Sequence, residues 1–211
     1  MQKSDQKVID VLKKVGAILE GHFVGTSGKH MGTYINKDDL FPHPLEVEKV
    51  CQMFAEKNKN LDIEVIAAPA LGGIVLAQCT ASFLSKTLGR EILTVFTEKD
   101  VNNNQIFNRG KDKYVKNKKV LILEDLTTTG GSVKKVIESV RKAGGKVIAI
   151  SVMVNKNSKE VNSSLFNLPF NFLGEMEVQT YEEKECPLCK NNIPINIEVG
   201  HGRKYLENLN K

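Results

Sequence analysis

The residues with the clearest chemical potential lie in one short segment, residues 120–132. Four apolar residues lead into two acids, Glu124 and Asp125, and after Leu126 the chain continues as Thr-Thr-Thr-Gly-Gly-Ser. A helix is predicted to begin directly after this loop. Hydroxyls, glycines and free backbone N–H groups at a helix N-terminus favour an anion, because the helix dipole is positive there. The segment therefore predicts a cradle for a monophosphate.

The two acids beside this cradle need a partner of their own, because they would repel the phosphate. The vicinal hydroxyls of a ribose, with or without a nearby Mg²⁺, would satisfy Glu124 and Asp125. The segment alone thus suggests a ribose 5-phosphate, with its phosphate at the threonine loop and its 2′- and 3′-hydroxyls at the acids. The alternative is a capped helix after a strand that happens to end in acids. Other nucleotide loops fit less well, because the lysine of a Walker A loop and a GxGxxG after a strand are both absent.

Short apolar strands alternate with helices around this segment, and this alternation predicts the fold class. The predicted strands cover residues 63–68, 91–96, 120–123 and 146–154, and the predicted helices cover 5–19, 45–57, 73–88 and 132–143, the first capped by Ser4 or Asp5. Strands without polar alternation, separated by helices, form a parallel sheet. We therefore expect an open, mostly parallel, twisted α/β sheet with helices on both faces. Ligands of such sheets bind at the carboxyl ends of the strands.

The other segments carry weaker patterns. Residues 20–44 contain several Gly and Pro residues and are predicted to be irregular. Residues 97–118 form a polar segment that is longer than a connection requires, which is typical of a lid that excludes water. Residues 155–211 are predicted to form an accessory layer and a tail.

The composition is that of one globular domain with appendages, with 211 residues, 41% of them hydrophobic and 26% charged. Disordered, collagen-like and disulfide-stapled proteins are disfavoured, and four cysteines are too few for a disulfide framework.

The net charge of +5 is compatible with nucleic acid or a small polyanion, although a solvated lysine-rich surface explains it most simply. The polar start lacks the apolar core of a signal peptide, and no run approaches the ~18 apolar residues of a membrane span. A reducing cytoplasm is expected.

Residues 120–132 resemble the phosphoribosyl pyrophosphate (PRPP) motif of type I phosphoribosyltransferases, and further segments resemble the orotate phosphoribosyltransferase branch. These segments are residues 20–29 with Tyr34, residues 69–77, residues 97–99, and Cys186-Pro-Leu-Cys189 with Pro194, which is similar to the tail of a bacterial subgroup. The resemblance spans roughly residues 12–200. It implies a single phosphoribosyltransferase domain over residues 1–200, in which residues 20–44 and 155–200 form an accessory hood over the substrate, and a tail over residues 201–211.

The resemblance also implies the reaction, in which orotate and PRPP give orotidine 5′-monophosphate and pyrophosphate during pyrimidine (UMP) synthesis. The implied PRPP-binding residues are Glu124, Asp125, Leu126, Thr127, Thr128, Thr129, Gly130, Gly131, Ser132, Leu71 and Gly72. The implied orotate-binding residues are Thr128, Lys156, Tyr34 and Ile35. The implied catalytic residues are Lys99, Arg109 and Asp125. Mg²⁺ would be carried by PRPP rather than bound directly by the protein. A homodimer without nucleic-acid or membrane partners is implied as well.

The chain departs from the family pattern in three places. Asn155-Lys156 replaces the arginine that usually holds the orotate base, and lysine offers a point charge instead of a bidentate fork. Residues 100–108 lack the further lysines and the histidine of the common catalytic loop, so the chemistry of the loop would rest on Lys99 and Arg109, and Thr26 replaces a frequent lysine. Two rival functions therefore stay open: a phosphoribosyltransferase for a purine or another base, and a non-catalytic regulator that senses PRPP.

Cys186 and Cys189 have the CxxC spacing that can hold half of a zinc site. Cys51, Cys79 and His201 are candidate partners, but their spacing supports none of them, and a reduced structural turn is the simpler interpretation. The histidines of the N-terminal region, which are His22, His30 and His43, are expected to be incidental.

Overall fold

The computed structural model describes residues 6–209, in which a central sheet lies between two layers of helices. The strands are β1 (Ile18–Val24), β2 (His30–Ile35), β3 (Val65–Pro69), β4 (Leu93–Lys99), β5 (Gln105–Ile106), β6 (Lys119–Thr127), β7 (Lys146–Asn155), β8 (Phe170–Glu175) and β9 (Thr180–Tyr181). The helices are α1 (Gln6–Lys14), α2 (Pro44–Asn58), α3 (Gly72–Leu88), α4 (Gly131–Lys142), α5 (Ser163–Phe166), α6 (Pro187–Lys190) and α7 (Gly202–Leu209), with 3-10 turns at Lys37–Leu40, Lys111–Tyr114 and Glu183–Glu185.

The central sheet has the strand order β5-β4-β3-β6-β7-β8. Strands β4, β3, β6, β7 and β8 are parallel, and the short β5 is antiparallel to β4. The chain runs outward from β3 to β4 and later returns to the other side of β3 as β6. The carboxyl ends of β3 and β6 therefore flank a topological switch point, where open α/β sheets bind ligands. The predicted fold class is confirmed.

Strand β6 supplies side chains to both hydrophobic layers because successive residues of a strand point to opposite faces. Leu121 and Leu123 pack into the cluster that also contains buried residues of α1, α2 and α3. Val120 and Ile122 pack into the cluster on the other face, which contains the apolar stripe of α4. Each fully buried side chain of this kind contributes about 1.5–3 kcal/mol to folding. This packing holds the end of β6 in a fixed position.

A second, antiparallel sheet has the order β1-β2-β9, and most of it lies in residues 20–44, for which the sequence predicts irregular structure, while β9 lies in the predicted accessory layer. Two predictions are therefore wrong. The first helix ends at Lys14 rather than at residue 19, because Gly16 adopts a left-handed φ of 74° and Ile18 begins β1. Residues 20–44 contain β2 and most of β1, which pair between Ile18 and Ile35 at one end and between Val24 and His30 at the other.

Two other segments are more ordered than their patterns indicated. Residues 97–118 contain β5, and β8 extends the central sheet beside β7 although it lies within the segment predicted as an accessory layer. The possible caps Ser4 and Asp5 lie outside the described residues. The predicted tail contains α7, and the domain bounds themselves stay a prediction. Among the described residues, no helix is both long and apolar enough to cross a membrane.

Candidate active site

The loops after β3 and β6 meet at the switch point. Gly72 begins α3, and a methyl group on its Cα would overlap the carboxylate of Asp125. The same methyl group would lie 3.1 Å from the Lys37 Nζ and 3.1 Å from the Phe41 ring. Three segments far apart in the sequence therefore converge on the carboxyl end of β6.

The two acids at the end of β6 are both buried, with Glu124 5% exposed and Asp125 7% exposed. The backbone N–H of Leu126 donates to Asp125 Oδ1 at 2.6 Å, and that of Asp125 donates to Glu124 Oε1 at 3.1 Å. Burial and the neighbouring charge of Asp125 raise the pKa of Glu124 well above its usual range. The site therefore concentrates carboxylate oxygens where a ligand with hydroxyl groups or a cation would relieve their repulsion.

Lys37 is the cation that the structure brings to these acids. Its Nζ lies 3.1 Å from Asp125 Oδ2 and 3.1 Å from Asp38 Oδ1. Burial alone would lower the pKa of Lys37, but the carboxylates of Asp125 and Asp38 together raise it. No pattern in the sequence indicates this contact, because Lys37 lies 88 residues before Asp125 and follows β2, a strand within the segment predicted to be irregular.

The threonine loop between β6 and α4 is shaped by its own contacts. The Thr127 Oγ1 accepts a hydrogen bond from the Gly130 N–H at 3.2 Å, and Gly130 has a left-handed φ of 75°. A side chain at Gly130 would press against the Phe166 ring, 2.8 Å away. Thr128 and Thr129 are exposed to solvent, as are Gly131 and Ser132 at the start of α4. The first N–H groups of a helix have no acceptor within it, so this end can bind an anion.

The end of β7 adds Lys156 to the same edge of the sheet. The Lys156 N–H donates to the Thr127 carbonyl oxygen at 2.8 Å, which ties β7 to the threonine loop. Burial lowers the pKa of the Lys156 ammonium, and the charge of Asp125 partly opposes this shift. A half-buried cation therefore lies near the acids and the loop.

Two comparisons with known proteins identify the family. Residues 36–179 match the model of the phosphoribosyl transferase domain. The chain is 38% identical over 190 residues to the orotate phosphoribosyltransferase of Caldanaerobacter subterraneus, a match that covers 90% of this chain and 94% of that protein. It is 33% identical over 196 residues to the orotate phosphoribosyltransferase of Thermotoga maritima, covering 92% and 98% of the two chains.

The chain belongs to the orotate phosphoribosyltransferase family. Solved structures agree in fold: the Mycobacterium tuberculosis orotate phosphoribosyltransferase in complex with inorganic phosphate has a TM-score of 0.65 at 17% identity, covering 81% of this chain and 94% of that one. The Aeropyrum pernix orotate phosphoribosyltransferase has a TM-score of 0.64 at 22% identity, covering 80% and 93%. The resemblance recognised in the sequence is therefore confirmed.

Within this phosphoribosyltransferase fold, the predicted PRPP-binding residues lie at the switch point. Residues 124–132 form the end of β6, the threonine loop and the start of α4, and Gly72 is in contact with Asp125. Leu71 precedes Gly72 and is 81% exposed. The structure thus brings the two loops together, and the binding roles of these residues stay predictions.

The residues predicted to bind orotate are less uniform in their surroundings. The Tyr34 ring is half-buried and stacks on the Phe23 ring, with 5.4 Å between the centroids. Burial, with the charge of Asp38, raises the pKa of the Tyr34 phenol, so its hydroxyl remains a hydrogen-bond donor. Ile35 is only 4% exposed and packs into the hydrophobic core, which leaves its side chain little surface for a ligand.

Lys99 and Arg109, predicted to be catalytic, lie on the polar segment and are exposed. Lys99 pairs with Gln105 in the β4–β5 hairpin, and the hairpin lies against α4, where the Ser139 hydroxyl donates to the Gln105 carbonyl. Within residues 6–209, no ion pair joins Lys99 or Arg109 to the acids of β6. The polar segment also contains Lys111, a cation that no sequence motif indicates, and its Nζ lies 3.4 Å from the centre of the Phe96 ring.

Proposed function

We propose that this protein transfers the 5-phosphoribosyl group of PRPP to orotate, giving orotidine 5′-monophosphate and pyrophosphate in the synthesis of UMP. The observation that carries this proposal is the arrangement at the switch point, where Glu124 and Asp125 lie between the threonine loop and the loop at Gly72. Membership of the orotate phosphoribosyltransferase family supports the choice of orotate as the acceptor.

The parts of PRPP match the chemistry of the two loops. The 5-phosphate fits the exposed hydroxyls and N–H groups between Thr128 and Ser132, at the positive end of the α4 dipole. The ribose hydroxyls can donate hydrogen bonds to the carboxylates of Glu124 and Asp125. The pyrophosphate would then lie over the start of α3, where Leu71 is exposed and Gly72 allows close approach of the backbone.

We propose that Mg²⁺ accompanies PRPP instead of occupying a site built by the protein alone. The donor set fits this role, because Mg²⁺ prefers oxygen ligands, keeps several waters and binds substrate phosphates together with one or two carboxylates. Glu124 and Asp125 supply such oxygens beside the proposed ribose position. Bound there, Mg²⁺ would neutralise charge that gathers on the departing pyrophosphate.

The protein's own contribution is positioning and charge stabilisation. Loss of pyrophosphate leaves positive charge on the ribose C1 and ring oxygen, and we propose that the buried carboxylates of β6 stabilise it. Lys99 and Arg109 are the cations proposed to meet the pyrophosphate. Lys99 is exposed on the hairpin that packs on α4, and Arg109 is exposed in the turn that follows β5, so this role requires the polar segment to move toward the switch point when substrate binds.

The orotate side of the site combines a cation with an aromatic ring. The half-buried Lys156 ammonium is proposed to pair with the orotate carboxylate, while Thr128 and Tyr34 contact the pyrimidine. A point charge supports carboxylate binding without the geometric selectivity of an arginine. We further propose that the protein is a cytoplasmic homodimer, without nucleic-acid or membrane partners.

A panel of free bases tests the proposal directly. The protein is incubated with PRPP, Mg²⁺ and one base at a time, and released pyrophosphate is measured; we expect turnover with orotate and little with hypoxanthine, adenine or uracil. Turnover with a purine but not with orotate would establish the purine rival. PRPP binding without turnover of any base, together with competition by nucleic acid, would establish the regulator.

A further inference from the structure

Four metal-ligating side chains outside the proposed active site meet at one point. They are His22 on β1, His30 on β2, and Cys186 and Cys189 of the CxxC turn at α6, and their ligand atoms all lie within 4.8 Å of one another. His22, His30 and Cys186 are at most 2% exposed. Two pairs of ligands separated by more than 150 residues therefore form one compact, buried cluster.

The distances within this cluster resemble those of a tetrahedral metal site. Zinc–nitrogen bonds of about 2.0–2.1 Å and zinc–sulfur bonds of about 2.3 Å place a sulfur and a nitrogen ligand about 3.5 Å apart. Here the Cys189 Sγ lies 3.3 Å from His30 Nδ1 and 3.7 Å from His22 Nε2, and the Cys186 Sγ lies 3.8 Å from His22 Nε2. The two nitrogens are closer, at 2.7 Å, which is a hydrogen-bond distance.

The orientation of His22 is fixed by a contact behind its ring. The His22 Nδ1 lies 2.7 Å from the Ile193 carbonyl oxygen, which can only accept, so Nδ1 carries the proton. The lone pair of Nε2 then points into the cluster. Ligating histidines commonly donate their other N–H to a carbonyl or carboxylate, because this contact fixes the tautomer and the ring orientation.

The charge of the cluster also suits a buried zinc ion. Two cysteine thiolates balance the two charges of Zn²⁺, and two neutral imidazoles complete four ligands, so the site is neutral overall. On binding, each thiol loses its proton to solvent and its sulfur forms a bond to zinc, with no change of oxidation state. Four protein ligands leave no open position, which is the pattern of a structural site and not of a catalytic one.

We propose that His22, His30, Cys186 and Cys189 bind one structural Zn²⁺ that fastens the C-terminal segment to the β1–β2 hairpin. The same segment contacts β1 through hydrogen bonds from the Asn196 N–H to the His22 carbonyl and from the His201 N–H to the Val24 carbonyl. Tyr34, proposed to contact the base, lies on the hairpin that the ion would hold. The other candidates from the sequence do not join the cluster: the Cys51 thiol donates to the Leu76 carbonyl, and His201 contacts Thr26.

The metal content of the untagged, full-length protein tests this proposal. After growth with zinc and reducing purification, we expect one zinc per chain in the natural protein and in Cys79→Ser, a control variant outside the cluster. Cys186→Ser and Cys189→Ser should each lose the metal. Replacement of zinc by Co²⁺ should give the visible absorption of a tetrahedral ion with thiolate ligands, and this spectrum decides the question even where a variant does not fold.

Four results would overturn the proposal. The first is a zinc content well below one per folded chain after exposure to zinc, and the second is a Co²⁺ spectrum without tetrahedral or thiolate features. The third is retention of zinc by both cysteine variants, and the fourth is a Cys186–Cys189 disulfide in protein purified under reducing conditions. Because metal content is read without substrate, the outcome is independent of the proposed transferase activity.

Discussion

Glu124 and Asp125 carry adjacent negative charges at the buried end of a strand, which is a costly arrangement unless it is compensated. The Lys37 ammonium, 3.1 Å from Asp125, offsets part of the repulsion, and Lys156 lies on the same side. Burial keeps the pKa of Glu124 well above its usual range even so. The buried acids therefore destabilise the free protein, and a diol or a cation that binds with the substrate can reduce their repulsion.

Substitution of Glu124 by Gln should remove this destabilisation and thereby change how the free energy of unfolding depends on pH. A carboxyl whose pKa is raised on folding binds its proton more tightly in the folded state, so its contribution is complete below the unfolded value and is lost as pH rises through the folded value. We expect Glu124→Gln to match the natural protein near the usual glutamate pKa of 4.5 and to be more stable at pH 8. Each pKa unit corresponds to about 1.4 kcal/mol.

Denaturant unfolding at a series of pH values between these limits measures the effect, with Glu138→Gln, an exposed position on α4, as the control. A difference between the Glu124 variant and the natural protein that does not change with pH would contradict the burial argument.

Lys156→Ala should separate the two substrates kinetically. Loss of a hydrogen bond to a charged group costs about 1.5–3 kcal/mol, which is about 10- to 100-fold in affinity. We expect the KM for orotate to rise by this factor and the KM for PRPP to change little. Steady-state kinetics with each substrate varied in turn give both values, and Lys159→Ala, an exposed lysine paired with Glu177, is the control. An equal rise in both KM values would remove Lys156 from the orotate site.

At the scale of elements, the site depends on how closely the β3–α3 connection approaches β6. Gly72 provides this approach, because its missing side chain leaves room for the Asp125 carboxylate and the Lys37 ammonium. The Gly72→Ala variant should displace Asp125. Overpacking of this kind costs about 1–3 kcal/mol, and we expect a fall in kcat/KM for PRPP of about 10- to 100-fold with a lower Tm.

Gly32→Ala on β2 is the matched control for this substitution, since an added methyl group there would lie 3.9 Å from its nearest neighbours. Activity assays and thermal melts of both variants compare a tight position with an open one. An unchanged kcat/KM for Gly72→Ala would contradict this prediction, because it would show that Asp125 can be displaced without loss of activity.

The elements predicted correctly are those whose sequence pattern is local. Strands β3, β6 and β7 are uninterrupted apolar runs, and α4 carries a stripe at helical spacing, so one fold class follows from them. The β1–β2 hairpin is not predicted, because glycines and histidines interrupt the apolar pattern of its strands. Its backbone hydrogen bonds form between the two strands, so no short segment alone indicates them. The PRPP motif was visible because it is contiguous. The contacts of Lys37 and of the two histidines of the proposed zinc site cannot be predicted from the sequence, because only tertiary packing brings these residues to their partners.

The whole molecule couples the site to the core through β6. This strand contributes to both hydrophobic clusters, with Leu121 and Leu123 on one face and Val120 and Ile122 on the other, and it ends at the two acids. Unfolding of either layer would therefore release Asp125 from its position. A ligand that binds at the end of β6 is expected to stabilise the domain as a unit, because it binds only the folded state.

PRPP with Mg²⁺ should accordingly raise the Tm of the natural protein. At a concentration 100 times the Kd, ligand binding adds about 2.7 kcal/mol, and 1 kcal/mol shifts the Tm of a chain of this size by about 2–4 °C. We expect a rise of about 5–11 °C for the natural protein and for Glu48→Gln, an exposed control on α2, but only a small rise for Asp125→Asn at the same concentration. Differential scanning calorimetry with and without ligand measures these shifts. An equal shift for Asp125→Asn would place PRPP away from the end of β6, since a ligand that does not contact Asp125 is insensitive to its charge.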